Sequence, residues 1–168
     1  IYPDKTAVVH GDVRHTYAQF LERVCRLANA LKTSGVEKGD KVAFICPNTP
    51  PMLEAHFAVP MIGAALVSVN IRLSAGEVAY ILDHSDAKVL VVDNEFASLV
   101  ADVMDELPKV KTVINVCDVS DDMPLAGTDY ESFLAAAPAH EVECAVSNEY
   151  DVATINYTSG TTGSPKGV

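Results

Sequence analysis

The residues best suited to chemistry in this 168-residue sequence are the last twelve, 157–168, which read YTSGTTGSPKGV. Three glycines alternate with hydroxyl residues, among them Thr158, Ser159, Thr161 and Thr162, and a single cation, Lys166, follows a proline. Glycine lets backbone N–H groups approach a ligand closely and converge on an anion. The hydroxyls add hydrogen-bond donors, and Lys166 adds a mobile positive charge. These residue types at this spacing predict a phosphate-binding loop.

Two better-known phosphate loops do not match this stretch. A Walker A loop has glycine directly before its lysine and a hydroxyl directly after, where this chain has Pro165 and Gly167. The dinucleotide fingerprint GxGxxG fails because Gly160 and Gly163 lack a preceding glycine at the required spacing. A flexible Ser/Thr/Gly linker is the alternative interpretation, and composition alone does not decide between the two. We favour the loop because a linker has no need of Pro165 before a single lysine.

The same twelve residues closely resemble the phosphate-binding signature of the adenylate-forming superfamily. That superfamily comprises acyl- and aryl-CoA synthetases, the adenylation domains of peptide synthetases, and luciferases. Residues 38–82 also resemble the amino-terminal region of acyl-CoA synthetases, so the resemblance covers essentially the whole chain and favours the fatty-acid branch. It implies that residues 1–168 are part of a large amino-terminal domain that ends in the phosphate-binding loop 157–168.

The resemblance implies an ATP-dependent acid–thiol ligase. In such enzymes a carboxylate attacks the α-phosphate of ATP, giving an acyl-adenylate and pyrophosphate, and the thiol of CoA then displaces AMP. The resemblance assigns no catalytic or metal-ligating residue in this chain. The residues it implies for nucleotide binding are Thr158, Ser159, Gly160, Thr161, Thr162, Gly163 and Lys166.

The ends of the sequence bear on this expectation. Ile1 is not an initiator methionine, and the chain stops inside the signature, so both ends look cut. We therefore expect the chain alone to be catalytically incomplete and to form no thioester by itself. The alternative is a non-catalytic nucleotide-binding or interaction module that retains the phosphate loop.

The charge balance restricts the partners. A net charge of −11 argues against nucleic acid, because phosphate backbones attract surfaces rich in Lys and Arg. Every formal charge between Lys111 and Lys166 is negative, so one lysine cannot neutralise a triphosphate. We therefore expect Mg²⁺ to accompany ATP, with a carboxylic acid and CoA as the other small-molecule partners. A second copy of the chain is retained as a candidate partner.

Composition indicates a globular protein in a reducing compartment. Apolar residues make up 49% of the sequence, and no apolar run reaches the length of a membrane span. Four cysteines without CxxC spacing favour buried free thiols over a disulfide. With no signal peptide in view, we expect a cytoplasmic location, although a leader lost from the amino terminus is left open.

Alternating elements predict the scaffold that positions the loop. Four short apolar runs are interpreted as buried strands, at residues 41–46, 64–69, 88–92 and 112–116, and helical periodicity recurs between them. This alternation predicts an α/β fold with a doubly wound, mostly parallel sheet and helices on both faces. A further β-branched run at 151–157 places the loop at a strand end, where such sheets bind ligands.

Local signals add detail to this scaffold. Residues 7–13 predict a hairpin, and Thr16 with Gln19 predicts a capping box at the start of a helix. Ser74 with Glu77 predicts a second capping box. Apolar spacing predicts one continuous helix over residues 95–107, and residues 142–149 are left open between a linker and an edge strand.

Two other constellations are set aside. His84, Ser85 and Asp86 have the residue types of a hydrolase triad, but sequence neighbours at a helix end cannot point at one another. The five histidines lack metal-ligand spacing. Asn70 and Arg72 follow a strand end, where we favour a structural role: Asn70 as a turn former and Arg72 as an ion-pair partner.

Overall fold

The computed structural model describes residues 2–117, 123–158 and 165–168. Five helices occur within these ranges, namely α1 (Tyr17–Thr33), α2 (Pro50–Met61), α3 (Ala75–His84), α4 (Ser98–Ala101) and α5 (Tyr130–Ala135). The strands are β1 (Thr6–His10), β2 (Val13–Thr16), β3 (Lys41–Ile45), β4 (Ala65–Ser68), β5 (Ala87–Asp93), β6 (Thr112–Val116), β7 (Thr128–Asp129), β8 (Thr154–Ile155), β9 (Tyr157–Thr158) and β10 (Lys166–Gly167).

Six of these strands form one parallel sheet in the order β7–β6–β5–β3–β4–β8. The central strand β3 pairs with β4 on one side and β5 on the other. From Val42 to Ile45 its residues are fully buried, because a parallel strand covered on both faces has to be apolar at every position. The continuous apolar runs in the sequence are therefore strands, as predicted.

Helices cover both faces of this sheet, and the doubly wound architecture is confirmed. One face packs against α1, α2 and α5, through core residues such as Leu27, Ala55 and Leu134. The opposite face packs against α3 and α4, through Ile81 and Val100 among others. Within the described ranges, no helix has both the length and the apolar character that crossing a membrane requires.

Local sequence signals mark the element boundaries correctly. The predicted first hairpin is formed by β1 and β2. Both capping boxes form: the Gln19 N–H donates to Thr16 Oγ1 at 3.2 Å, and the Ser74 N–H donates to Glu77 Oε2 at 2.9 Å. None of the four cysteines, all of which lie in the described ranges, forms a disulfide.

The predicted continuous helix over residues 95–107 is wrong. The chain there forms a 3₁₀ turn at Asn94–Phe96, the four-residue α4 and a second 3₁₀ turn at Met104–Glu106. Val103, with φ −115° and ψ 0°, leaves the helical region and interrupts the hydrogen-bond pattern. The apolar side chains that suggested a helix are still packed against the sheet, so tertiary packing overrides local periodicity here. Residues 142–149, the open segment, form neither helix nor strand.

A buried polar network joins the three helices of one face. Glu54 on α2 is fully buried, and its carboxylate accepts hydrogen bonds from Arg23 of α1 and, at 2.7 Å, from the Tyr130 hydroxyl of α5. Burial raises the pKa of Tyr130 well above its ordinary value, and the adjacent Glu54 charge adds to this, so the phenol remains a donor. Arg23 also bonds Glu131, so the network ties α1, α2 and α5 together.

Tyr130→Phe tests the strength of this network. The change removes one hydrogen bond to a buried carboxylate, and we expect the free energy of unfolding to fall by about 1.5–3 kcal/mol. Chemical denaturation measures this fall. Tyr150→Phe is the matched control: that side chain is 84% exposed and its loss of a hydroxyl should have no effect. Equal stabilities for the two variants would show that the Glu54 contact contributes nothing.

Candidate functional site

A segment without helix or strand, residues 141–153, leads into the edge of the sheet and is here called the strap. The Ala145 N–H donates to the Met61 carbonyl at 2.8 Å. The Lys38 ammonium donates to Ser147 Oγ at 2.9 Å and pairs with Asp151 at 2.8 Å. These bonds hold the strap against the end of α2 and the turn before β3.

The strap delivers the chain to β8, which attaches the candidate site to the sheet. The Leu66 N–H donates to the Ala153 carbonyl at 3.0 Å, and β8 pairs with β4 in parallel, Thr154 beside Leu66 and Ile155 beside Val67. Because the two strands are parallel, the chain leaves β8 toward the carboxyl edge of the sheet. Ligands of open α/β sheets bind at that edge. Of the predicted run 151–157, only Thr154 and Ile155 form this strand of the sheet.

Beyond β8, the two ends of the predicted phosphate loop are joined by the antiparallel strands β9 and β10, here called the hairpin. Asn156 and Val168 extend the pairing by exchanging backbone hydrogen bonds of 2.8 and 2.9 Å. Of the predicted nucleotide-binding residues, Thr158 and Lys166 lie in the hairpin. The other five, Ser159, Gly160, Thr161, Thr162 and Gly163, lie outside the described residues.

Thr158 and Lys166 are brought together on one face of the hairpin. They are directly opposite each other in the register, and residues so paired have Cβ atoms about 5 Å apart on the same face. Both are exposed. Lys38, Lys88 and Lys109 each hold a carboxylate, whereas no carboxylate in the described part of the chain is paired with the Lys166 ammonium. A hydroxyl and an available cation therefore lie side by side where the loop begins and ends.

The other face of the hairpin packs against α3. Tyr157 is opposite Gly167, and a Cβ atom at position 167 would lie 3.1 Å from both the Tyr157 ring and the Ile155 side chain. Glycine at this position allows the ring to lie over the backbone. The Tyr157 hydroxyl is 2.8 Å from His84 Nδ1, and the His84 ring is stacked on Tyr80 with ring centroids 5.2 Å apart.

Sequence reasoning missed this contact. His84 was interpreted as part of a helix terminus, which is correct, but nothing local connects it to Tyr157, 73 residues later. Burial raises the pKa of the Tyr157 phenol above its ordinary value, with the neighbouring Tyr80 adding to this, so the hydroxyl keeps its proton at neutral pH. Only the folded sheet brings the two residues together.

A crevice opens at the carboxyl ends of β3 and β4. The connection after β3 leads to α2 on one face, whereas the connection after β4 leads to α3 on the other, which is the topological arrangement that favours ligand binding. The cavity has a volume of about 460 Å³ and is lined in part by Asn48, Ser68 and Asn70. Asn70 is a turn former, as predicted, since its side chain accepts the Arg72 N–H at 3.0 Å. Arg72 forms no ion pair with a carboxylate of the described residues.

A parallel α/β sheet whose edge strand β8 leads to an antiparallel strand pair at the carboxyl edge belongs to the class of open α/β domains that bind ligands at that edge. Consistent with this geometry, the family described as AMP-binding enzyme matches residues 1–168. The chain belongs to that family.

Three related proteins illustrate the range of similarity. The chain is 38% identical to a peroxisomal butyrate–CoA ligase of Arabidopsis thaliana, over 99% of this chain and 31% of that protein. It is also 38% identical to a 4-hydroxybutyrate–CoA ligase of Metallosphaera sedula, over 99% of this chain and 31% of that protein. A crystal structure of an anthranilate CoA ligase in complex with anthranoyl-AMP superposes with a TM-score of 0.92 at 29% identity, over 99% of this chain and 32% of that one. The chain spans about a third of the length of these relatives.

The strap should undock in acid. The hydrogen bond from Lys38, followed by the backbone N–H of Ser147, lowers the pKa of Asp151 below its ordinary value. A lowered pKa contributes stability that is complete above the unfolded value, about 3.9, and is lost as the pH falls through the folded value below it. Asp151→Asn should therefore lower the unfolding temperature at pH 7, and this difference should shrink below about pH 4. Asp4→Asn, at an exposed position, is the control and should show no such difference.

Gly167→Ala should loosen the hairpin. A methyl group 3.1 Å from the Tyr157 ring and from Ile155 forces one of them to move, and overpacking of this kind costs about 1–3 kcal/mol. Mass-spectrometric amide exchange should show faster exchange in residues 156–168 of the variant. Gly76→Ala is the control, because a Cβ atom there meets no atom within 4 Å, and exchange in the hairpin should not change. Unchanged exchange in Gly167→Ala would contradict the packing argument.

Proposed function

We propose that the protein is an AMP-forming acid–thiol ligase and that residues 157–168 bind the phosphates of its ATP. The observation that carries the proposal is the pairing of Thr158 with Lys166 on one exposed face of a closed hairpin. Membership of the AMP-binding enzyme family and similarity to CoA ligases support it. Because the chain spans only part of those relatives, the ligase activity is a proposal for the whole protein.

Local charge decides whether an acidic protein can hold ATP here. At about 4 Å, an ammonium and a phosphate oxygen attract by roughly 4 kcal/mol at an effective dielectric constant near 20. Exposed charges separated by more than about 8 Å are largely screened at physiological salt, so the net charge of −11 does not prevent binding. In the proposal Lys166 contacts the β- and γ-phosphates. The hydroxyl and amide donors of Thr158, Ser159, Gly160, Thr161, Thr162 and Gly163 surround them.

The proposed reaction has two steps. A carboxylate oxygen of the acid attacks the α-phosphorus of ATP, the bond to the bridging oxygen breaks, and pyrophosphate leaves. The CoA sulfur then attacks the acyl carbonyl, and AMP leaves with the electron pair of the broken C–O bond. The first step requires stabilisation of charge on the phosphates more than proton transfer, which suits a loop of donors and one cation. Mg²⁺ supplies the additional positive charge that a single lysine cannot.

The acid is proposed to be a fatty acid, in keeping with the resemblance of residues 38–82. The relatives named above act on butyrate, 4-hydroxybutyrate and anthranilate, so the substrate test has to include both aliphatic and aromatic acids. The cytoplasmic location also remains a proposal, since one relative is peroxisomal.

Acid-dependent exchange of pyrophosphate into ATP tests the function directly. The full-length protein should catalyse exchange with Mg²⁺ and an aliphatic acid, and an acid series from C2 to C16 with benzoate and anthranilate should show a clear optimum. CoA ester and AMP should then form in equal amounts. ATP binding without exchange for any acid would favour the non-catalytic module instead.

Lys166→Ala tests the proposed role of the loop cation. Hydrogen bonds to charged groups contribute about 1.5–3 kcal/mol, so kcat/KM for ATP in the exchange assay should fall about 10- to 150-fold. Lys32→Ala is the control, because Lys32 is an exposed lysine at the end of α1, outside the proposed site. Lys166→Arg, which keeps the charge, should lose less. If Lys166→Ala and Lys32→Ala behave alike, the phosphate contact is wrong.

A further inference from the structure

The hairpin is joined to the rest of the described structure by backbone continuity with β8, and the Tyr157 side chain packs it against the core. Tyr157 is half-buried and lies between Gly167 of β10 and the end of α3. Its hydroxyl is 2.8 Å from His84 Nδ1, and the two rings meet edge to face with centroids 5.8 Å apart. The contact thus spans from the hairpin to a helix that is itself packed on the sheet.

His84 is held in place independently of the hairpin. It is the last residue of α3, and its ring is stacked on Tyr80, four residues earlier, at an interplanar angle of 23°. Residues four apart on a helix are neighbours on its surface, so the stacking follows from helix geometry. The capping box at the start of α3 and the buried Ile81 fix the helix itself. Nδ1 is therefore presented to Tyr157 from a rigid support.

Resting on the proposed function, we propose that His84 is a positioning residue for ATP. By holding the Tyr157 hydroxyl, it fixes the hairpin against α3 and so aims Thr158 and Lys166, on the opposite face, at the phosphates. His84 would not contact the nucleotide; it would act through the hairpin. Nothing in the motif itself indicates this role, because the residue lies 73 positions before Tyr157.

The expected effect is on nucleotide affinity rather than on chemistry. If the hairpin is held in the binding-competent arrangement before ATP arrives, almost all of the protein can bind ATP at once. The apparent affinity is then not reduced by molecules whose hairpin is arranged differently. Without the hydrogen bond between His84 and Tyr157, part of the free energy of ATP binding is used to order the hairpin. Once ATP is bound, the hairpin is ordered in either case, so kcat should change little.

The hydrogen bond can form with either tautomer of the imidazole. When Nδ1 carries no hydrogen it accepts from the Tyr157 hydroxyl, and when Nδ1 carries the hydrogen it donates to the same oxygen.

Two substitutions at position 84 separate the hydrogen bond from the packing. His84→Phe keeps a ring that can stack on Tyr80 but has no nitrogen for Tyr157. His84→Asn removes the ring. The amide oxygen and nitrogen of asparagine are each two covalent bonds from Cβ, as Nδ1 of histidine is, so one of them can restore the hydrogen bond. Tyr157→Phe removes the hydroxyl from the other partner.

The measurement is acid-dependent pyrophosphate exchange by the full-length protein over a range of MgATP concentrations. Loss of one hydrogen bond changes an equilibrium constant by a factor of about two to ten. His84→Phe and Tyr157→Phe should therefore each raise KM for MgATP by about that factor. The values of kcat and of KM for the acid should stay unchanged. The double variant should be no worse than Tyr157→Phe alone, because Tyr157→Phe already removes the hydroxyl that His84 holds, together with the contact of that hydroxyl with Ser85. His84→Asn should recover most of the affinity.

The outcomes separate positioning from a general structural role. A lower kcat with unchanged KM for MgATP would mean a smaller active fraction and would overturn the proposal, as would additive losses in the double variant. His140→Gln, at an exposed histidine outside the hairpin, is the control and should behave as the unchanged protein.

A second readout remains valid if the proposed function fails. Amide exchange in residues 156–168, measured without nucleotide, should be faster in His84→Phe and close to normal in His84→Asn. If the unchanged protein catalyses no pyrophosphate exchange, the ligase assignment fails, but the amide-exchange test still applies. Equal amide exchange in all variants would remove the positioning role whatever the enzyme assay shows.

Discussion

The pairing of β8 with β4 is the constraint on which the candidate site depends. Two residues, Thr154 and Ile155, join the outer side of a buried strand, and the Ala153 carbonyl adds a further hydrogen bond. This short attachment sets where the chain leaves the sheet toward the hairpin. The strap upstream, held by Lys38, sets where the attachment begins. A rigid sheet thus presents the hairpin at its carboxyl edge.

The hairpin that continues from this edge uses its two faces differently. Because side chains alternate along a strand, Thr158 and Lys166 point one way while Tyr157 and Gly167 point the other. One face offers a hydroxyl and an ammonium to solvent, and the other packs against α3. The alternation explains why glycine suits position 167, which faces the Tyr157 ring.

How much of the fold and of the candidate site can be predicted from the sequence depends on how far apart in the chain the interacting residues lie. The capping pair Thr16 and Gln19 and the apolar run of β3 are readable because their partners are close in sequence or because burial demands one kind of residue. The helix predicted over 95–107 failed because packing against the sheet, not periodicity, shapes that segment. Within the candidate site, Thr158 and Lys166 could be named from the motif. The contact of Tyr157 with His84 could not, because it exists only once two distant elements are packed.

Both outermost strands of the sheet, β7 and β8, are only two residues long. A long exposed border of backbone N–H and C=O groups invites foreign chains to add themselves as extra strands, and brevity is one of the ways in which proteins avoid this. In the described part of the chain, these two short edge strands therefore offer few unpaired backbone groups of their own on which fibrous self-assembly could begin.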